Sequence, residues 1–145
     1  MNVPSHVEVL LVEDNPADAV MIKEAIRETK FRCRLCVVGS GEEALDYLHG
    51  RGSYKKAGHP DLVLLDLNLP GKNGMEVLAE VKADVNLKRT PVVVLTSSGA
   101  REDISAAYER GANAYMQKRL DLQDIYTMMS DLQKYWFKWT ILPSH

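Results

Sequence analysis

Cysteine is scarce in this 145-residue chain, with only two, which fits a cytosolic protein better than a disulfide scaffold. The pair stands as Cys33-Arg-Leu-Cys36, the spacing of a redox or zinc pair, but it falls in a predicted strand running from Arg32 to Val38. Residues three apart on a strand point to opposite faces and cannot close on one ion, so burial is the expected fate of both thiols. Four histidines, His6, His49, His59 and His145, lack metal-ligand spacing and are expected at the surface. A basic stripe is missing too: Lys55-Lys56 and Lys88-Arg89 are short, and the formal charge is -2, which argues against nucleic acid as a partner. No apolar run reaches membrane-spanning length. The first such run contains Glu8 and lacks the flanks of a signal peptide, so the chain is expected to be cytoplasmic, without a membrane partner. Neither a Gly-x-Gly-x-x-Gly turn nor a P-loop is present, which weakens a nucleotide-binding reading. Internal repeats and low-complexity tracts are also absent.

What is present suits one compact domain: 46% hydrophobic and 26% charged residues, spread without a linker. A single domain is expected over residues 1–145, with a core of about 6–134 and an aromatic extension over 135–145. Any output is then expected from this same domain, since no residues are left for an appended DNA-binding module. Strand-like and helical segments alternate five times, the pattern of an α/β protein with a parallel sheet covered by helices on both faces. The predicted strands are Val7 to Val12, Arg32 to Val38, Leu62 to Leu65, Val92 to Leu95 and Ala114 to Met116, the third and fourth continuous apolar runs buried on both sides.

The first helix is predicted to begin near Pro16, with Asp18 in its opening turn and Ala19, Ile22, Ala25 and Ile26 on one face. Ser40 stands three residues before Glu43 and predicts a capped helix that buries Ala44, Leu45 and Leu48 and stops near Gly50. A third helix from Gly74 to about Ala83 buries Val77, Leu78 and Val81, and a fourth from Arg101 to Arg110 buries Ile104, Ala107 and Tyr108. Residues Arg51 to His59 read as an exposed loop. From Asp121 onward, Leu122, Ile125, Met129, Leu132, Trp136 and Trp139 follow the spacing of a helix packed along its whole length. Tyr126, Met128, Tyr135 and Phe137 widen that apolar surface. It is read as a partner or self-association face, implying a homodimer, in preference to a tail folded back on its own domain.

Three strand ends carry polar groups. The run Val7 to Val12 enters Glu13-Asp14-Asn15-Pro16, Leu62 to Leu65 enters Asp66, and Val92 to Leu95 enters Thr96. In an open parallel sheet the carboxyl ends of the strands line the ligand crevice, so the three can converge. Glu13, Asp14 and Asp66 at adjacent ends would raise one another's pKa unless a cation neutralised them, and an all-oxygen set that leaves room for water and phosphate oxygens suits Mg²⁺. Lys118 adds one positive charge at the end of the fifth strand. Phosphoryl transfer needs little more than an in-line nucleophile and positive charge on the transferring oxygens. Asp66 is then the candidate nucleophile, Asp14 a metal ligand, Glu13 a ligand through water, and Asn68 a donor of its backbone carbonyl. Thr96 would donate its hydroxyl to one phosphoryl oxygen, and Lys118 would pair with another.

The set Glu13-Asp14, Asp66 within Asp-Leu-Asn-Leu-Pro-Gly71, Thr96 and Tyr115-Met-Gln-Lys118 resembles the receiver domain of bacterial two-component response regulators, over essentially the whole chain. That resemblance implies a five-stranded doubly wound fold of the flavodoxin type, Mg²⁺, phosphoryl transfer from a phosphohistidine on a sensor histidine kinase, and self-catalysed dephosphorylation. It also implies that Tyr115 is a switch aromatic that moves inward with the threonine. Leu-Val-Glu-Asp-Asn-Pro-Ala-Asp18, the long loop before the third strand, and Tyr135-Trp136 with the terminal Leu-Pro143 are similar to the small regulators paired with phytochromes, implying a light-sensing kinase. The family usually follows its lysine with a cis proline; here Arg119 follows, so the peptide is either strained or trans, and a trans bond could re-aim Lys118.

Two other readings of the site stand beside this one. A phosphatase turning over an aspartyl phosphate, in the haloacid-dehalogenase manner, needs a second aspartate two residues after the nucleophile, where this chain has Asn68. A degenerate docking module needs a broken pocket, and Arg119 is the one departure.

Overall fold

The computed structural model describes residues 7–29, 33–119 and 121–143. Five strands, β1 (Val7–Val12), β2 (Cys33–Val38), β3 (Leu62–Leu65), β4 (Val92–Thr96) and β5 (Ala114–Gln117), form one sheet in the order β2-β1-β3-β4-β5. Every pairing is parallel. Helices α1 (Pro16–Arg27), α2 (Gly41–His49), α3 (Gly74–Ala83), α4 (Arg101–Glu109) and α5 (Leu122–Gln133) connect or follow the strands. The doubly wound α/β architecture expected from the alternation of segments is therefore the one observed.

Alternation along the buried strands sorts the core into two halves. Leu10, Val12, Val63, Leu65, Val92 and Val94 face α2 and α3, whose Ala44, Leu45, Leu48, Val77, Leu78 and Val81 cover them. Val9, Leu11, Leu62, Leu64, Val93 and Leu95 face the other way, against Ile22, Ala25 and Ile26 of α1 and Ile125, Met129 and Leu132 of α5. The two cysteines follow the same rule: Cys36 packs against the first half and Cys33 against the second. Both thiols are free, and burial pushes Cys33 up to about 12, out of the reactive range.

Local signals set the helix ends. Asn15 caps α1 by accepting from the amides of Ala17 and Asp18, with Pro16 in the first turn, where a missing N–H costs nothing. Ser40 caps α2 by accepting from Glu43 N, while the Glu43 carboxylate turns to Gly39 N, so the expected box is only half closed. Gly50 ends α2 at φ 67°, the left-handed position glycine occupies most readily. The loop from Arg51 to His59 is mostly exposed, but it contains a 3-10 turn (Gly52–Tyr54), and the Tyr54 ring sits 5.1 Å from that of Tyr47.

Some expectations fail, each for a visible reason. Tyr108 is 49% exposed and Ile104 only half-buried, because α4 packs against the edge strand β5 and Ala107 alone is enclosed. The predicted seam of the last helix breaks at both ends: Leu122 is 62% and Trp139 74% exposed. At Lys134–Trp139 the helix widens into a π-helix, closed by Thr140 N donating to Tyr135 O, and the wider turn carries Trp139 out of phase with Ile125, Met129 and Leu132. Trp136 and Phe137 still pack on the α1/α5 half of the core, so part of the aromatic extension does fold back. His59 is exposed, whereas His49 is partly buried with Nδ1 3.9 Å from Asp84. Arg32, His6 and His145 lie outside the described residues. Among the described residues, no helix is long and apolar enough to cross a membrane.

Candidate phosphoryl-acceptor site

Register brings the polar strand ends together. Val12 pairs with Leu65, and Asp66 N then donates to Val12 O, so Glu13 and Asp66 begin their loops side by side. Thr96 pairs with Gln117, and Lys118 N donates to Thr96 O at 2.7 Å, which puts the lysine on the same edge of the sheet. Glu13, Asp66 and Thr96 are all buried, while Asp14 is exposed at the rim.

Carboxylate oxygens of Glu13, Asp14 and Asp66 all lie within 4.8 Å of one another. That is the spacing and chemistry of a divalent-cation site with hard oxygen donors, and these residues fit the ion expected from the sequence. Asn68 is exposed, and its backbone N–H donates to Asp66 Oδ1 at 3.2 Å, which fixes the Asp66 carboxylate at the start of the loop. Burial pushes the Glu13 carboxyl up to about 7; the nearby Asp66 charge adds to this, and the bond from Lys118 opposes it.

Lys118 resolves the doubt raised by Arg119. Among the described residues there is no cis peptide, so the Lys118-Arg119 bond is trans, yet the ammonium still reaches the site. Its Nζ lies 2.6 Å from Glu13 Oε1, 2.9 Å from Asp18 Oδ2 and 3.3 Å from Asp66 Oδ2. Burial by itself would lower the ammonium's pKa, but bonds to Glu13 and Asp18 and the Asp66 charge hold it above its ordinary value.

Thr96 Oγ1 is buried without a hydrogen-bond partner among the described residues. Such an orphan is costly unless something fills its capacity, and an oxygen-rich group on Asp66 would do so. Tyr115 is half-buried, with its hydroxyl donating to Ser98 O at 2.8 Å, and Gln117 Nε2 donates to Ser97 O at 3.2 Å. Together they tie the segment after Thr96 to β5.

Sequence reasoning did not anticipate three contributions. Asp18 was expected only in the opening turn of the first helix, yet it is a direct partner of Lys118. Gly74 was expected only to open a helix, yet a Cβ there would lie 2.3 Å from Asp66 O, so only glycine lets α3 start against the loop that begins at Asp66. Gln117 gave no signal beyond its place next to Lys118.

The chain matches the response regulator receiver domain model over residues 9–130. It is 40% identical over 136 residues to the response regulator Rcp1 of Synechocystis sp., covering 94% of this chain and 92% of that one. Among solved structures, the phosphorylated cyanobacterial phytochrome response regulator RcpA superposes with a TM-score of 0.92 at 42% identity, covering 96% of this chain and 99% of that one. The Mn²⁺-bound form of Rcp1 gives 0.89 at 39% identity, with 95% and 99% covered. With the acidic cluster, the neighbouring lysine and the five-stranded parallel sheet in place, the chain belongs to the family of response regulator receiver domains and works in phosphorylation-dependent signalling.

Proposed function

We propose that Asp66 is the phosphoacceptor of a signalling cycle driven by a sensor histidine kinase, and that the kinase is a phytochrome. The observation that carries this is the buried Thr96 hydroxyl, without a partner among the described residues, in the strand next to the one that leads into Asp66. Similarity to the phytochrome regulators RcpA and Rcp1 supports the identity of the kinase.

An Asp66 carboxylate oxygen attacks the phosphorus of a phosphohistidine, the P–N bond breaks, and the imidazole leaves with the electron pair and takes up a proton. Glu13, Asp14, Asp66 and the Asn68 carbonyl would hold Mg²⁺, which would supply positive charge to the transferring oxygens. Lys118 moves from the Asp66 carboxylate to a phosphoryl oxygen, and Thr96 donates its hydroxyl to another. That pull on Thr96 draws on the segment that Tyr115 and Gln117 hold, so Tyr115 exchanges its bond to Ser98 for an inward position and the α4-β5-α5 face changes. Hydrolysis of the aspartyl phosphate at the same site resets the cycle.

Output runs through protein contacts. Tyr135, Trp139 and Ile141 are 60%, 74% and 95% exposed, an apolar edge that suits a homodimer along the C-terminal helix. Incubation with Mg²⁺ and either acetyl phosphate or a phosphorylated phytochrome kinase tests the reading. The wild-type chain is expected to gain one phosphoryl group by intact mass, and Asp66→Asn none.

A further inference from the structure

Asp18 is the one partner of Lys118 that neither the metal cluster nor the phosphoryl group calls on. An ammonium has three donors, and here Glu13, Asp18 and Asp66 take one each. Glu13 and Asp66 belong to the carboxylate cluster that can hold a cation, and Asp66 would also carry the phosphoryl group. Asp18 lies outside that cluster, in the first turn of α1.

Its backbone is well fixed. Asp18 N donates to Asn15 Oδ1 at 3.1 Å, and α1 is anchored on the core through Ile22, Ala25 and Ile26. The lysine is less constrained: its backbone N–H is tied to Thr96 O, but four rotatable bonds separate the backbone from the ammonium, and Arg119 supplies no ring to stiffen the loop beyond it. A long side chain of this kind keeps one geometry only if something holds its tip.

We infer that Asp18 is a positioning residue: it anchors the Lys118 ammonium while Glu13 and Asp66 are engaged elsewhere, and so keeps the lysine within reach of the phosphoryl oxygens. The inference rests on Asp66 being the phosphoacceptor. A first-turn carboxylate also complements the dipole of α1, but that service is available from any carboxylate in the turn, whereas the contact with Lys118 requires position 18.

The test is the initial rate of phosphoryl incorporation into the full chain, with saturating Mg²⁺ and acetyl phosphate, read by intact mass. Asp18→Asn is expected to load roughly ten-fold more slowly, the scale of one charge-assisted hydrogen bond. Asp18→Glu, which keeps the charge within reach of the lysine, recovers most of the rate. The double variant Ala17→Asp with Asp18→Asn restores a carboxylate to the turn but not the contact, and stays slow. Loading of Asp18→Asn at the wild-type rate overturns the inference, as does full recovery in the double variant. A wild-type chain that fails to load sinks the phosphoacceptor reading itself, and this inference with it.

Discussion

The Lys118 ammonium sits 2.6 Å from the Glu13 carboxylate, in a pocket where their side chains are 7% and 1% exposed. Strands β1 and β5, from which the two loops leave, are not neighbours in the sheet; β3 and β4 stand between them. One ion pair therefore closes the site across its whole width, above Asp66 and Thr96.

Removing the cation exposes the cost of that closure. Lys118→Met leaves the buried Glu13 and Asp66 carboxylates without their ammonium, and breaking a buried pair in this way costs about 3 kcal/mol. Urea unfolding without metal should show the loss, and Mg²⁺ should recover part of it. An unchanged midpoint would show that the pair contributes nothing.

Glu13 links metal affinity to pH. Its folded-state carboxyl is raised to about 7 from 4.5, so the metal-free fold holds this proton more tightly than the unfolded chain does. The resulting stability is fully present below pH 4.5 and is lost as pH rises through about 7. A metal ligand must be deprotonated, so Mg²⁺ affinity moves the opposite way and should rise several-fold between about pH 6 and about pH 8. Calorimetric titrations at the two values check the sign; equal affinities would mean Glu13 is already ionised or takes no part.

Thr96→Val separates the resting state from the loaded one. Among the described residues the buried Thr96 hydroxyl has no partner, so the isosteric valine should leave the unphosphorylated protein as stable as before, or more stable by about 1 kcal/mol. The same change removes a donor to the phosphoryl group and should slow loading. A resting protein destabilised by valine would reveal a partner for the hydroxyl.

Tyr115→Phe tests the tie to Ser98. Loss of one half-buried hydrogen bond costs about 1 kcal/mol, and the amides from Ser97 to Ala100 should exchange faster with solvent. Exchange confined to its wild-type rate would mean Gln117 holds the segment unaided.

Much of this was legible in the sequence because strand, turn and charge coincide there. The runs ending at Val12, Leu65 and Leu95 are each followed by the polar residue that lines the crevice, and a parallel sheet has only one edge where such ends can meet. Asp18 was not legible as a partner of Lys118, because a helical first-turn acid already has a local explanation and the contact spans 100 residues of sequence. The aromatic tail misled for a different reason. Its heptad spacing assumes an α-helical turn throughout, and the π-helix from Lys134 changes the phase without any mark in the apolar pattern. Tyr108 failed for another reason: periodicity gives a face but not what stands opposite it.

The central claim, that Asp66 accepts the phosphoryl group, is tested most directly by peptide mapping of the protein after incubation with Mg²⁺ and a phosphorylated sensor kinase. A single acid-labile phosphoryl group on the peptide carrying Asp66, absent in Asp66→Asn, is the predicted result. Label on any other residue, or none on a folded wild-type chain, would contradict it.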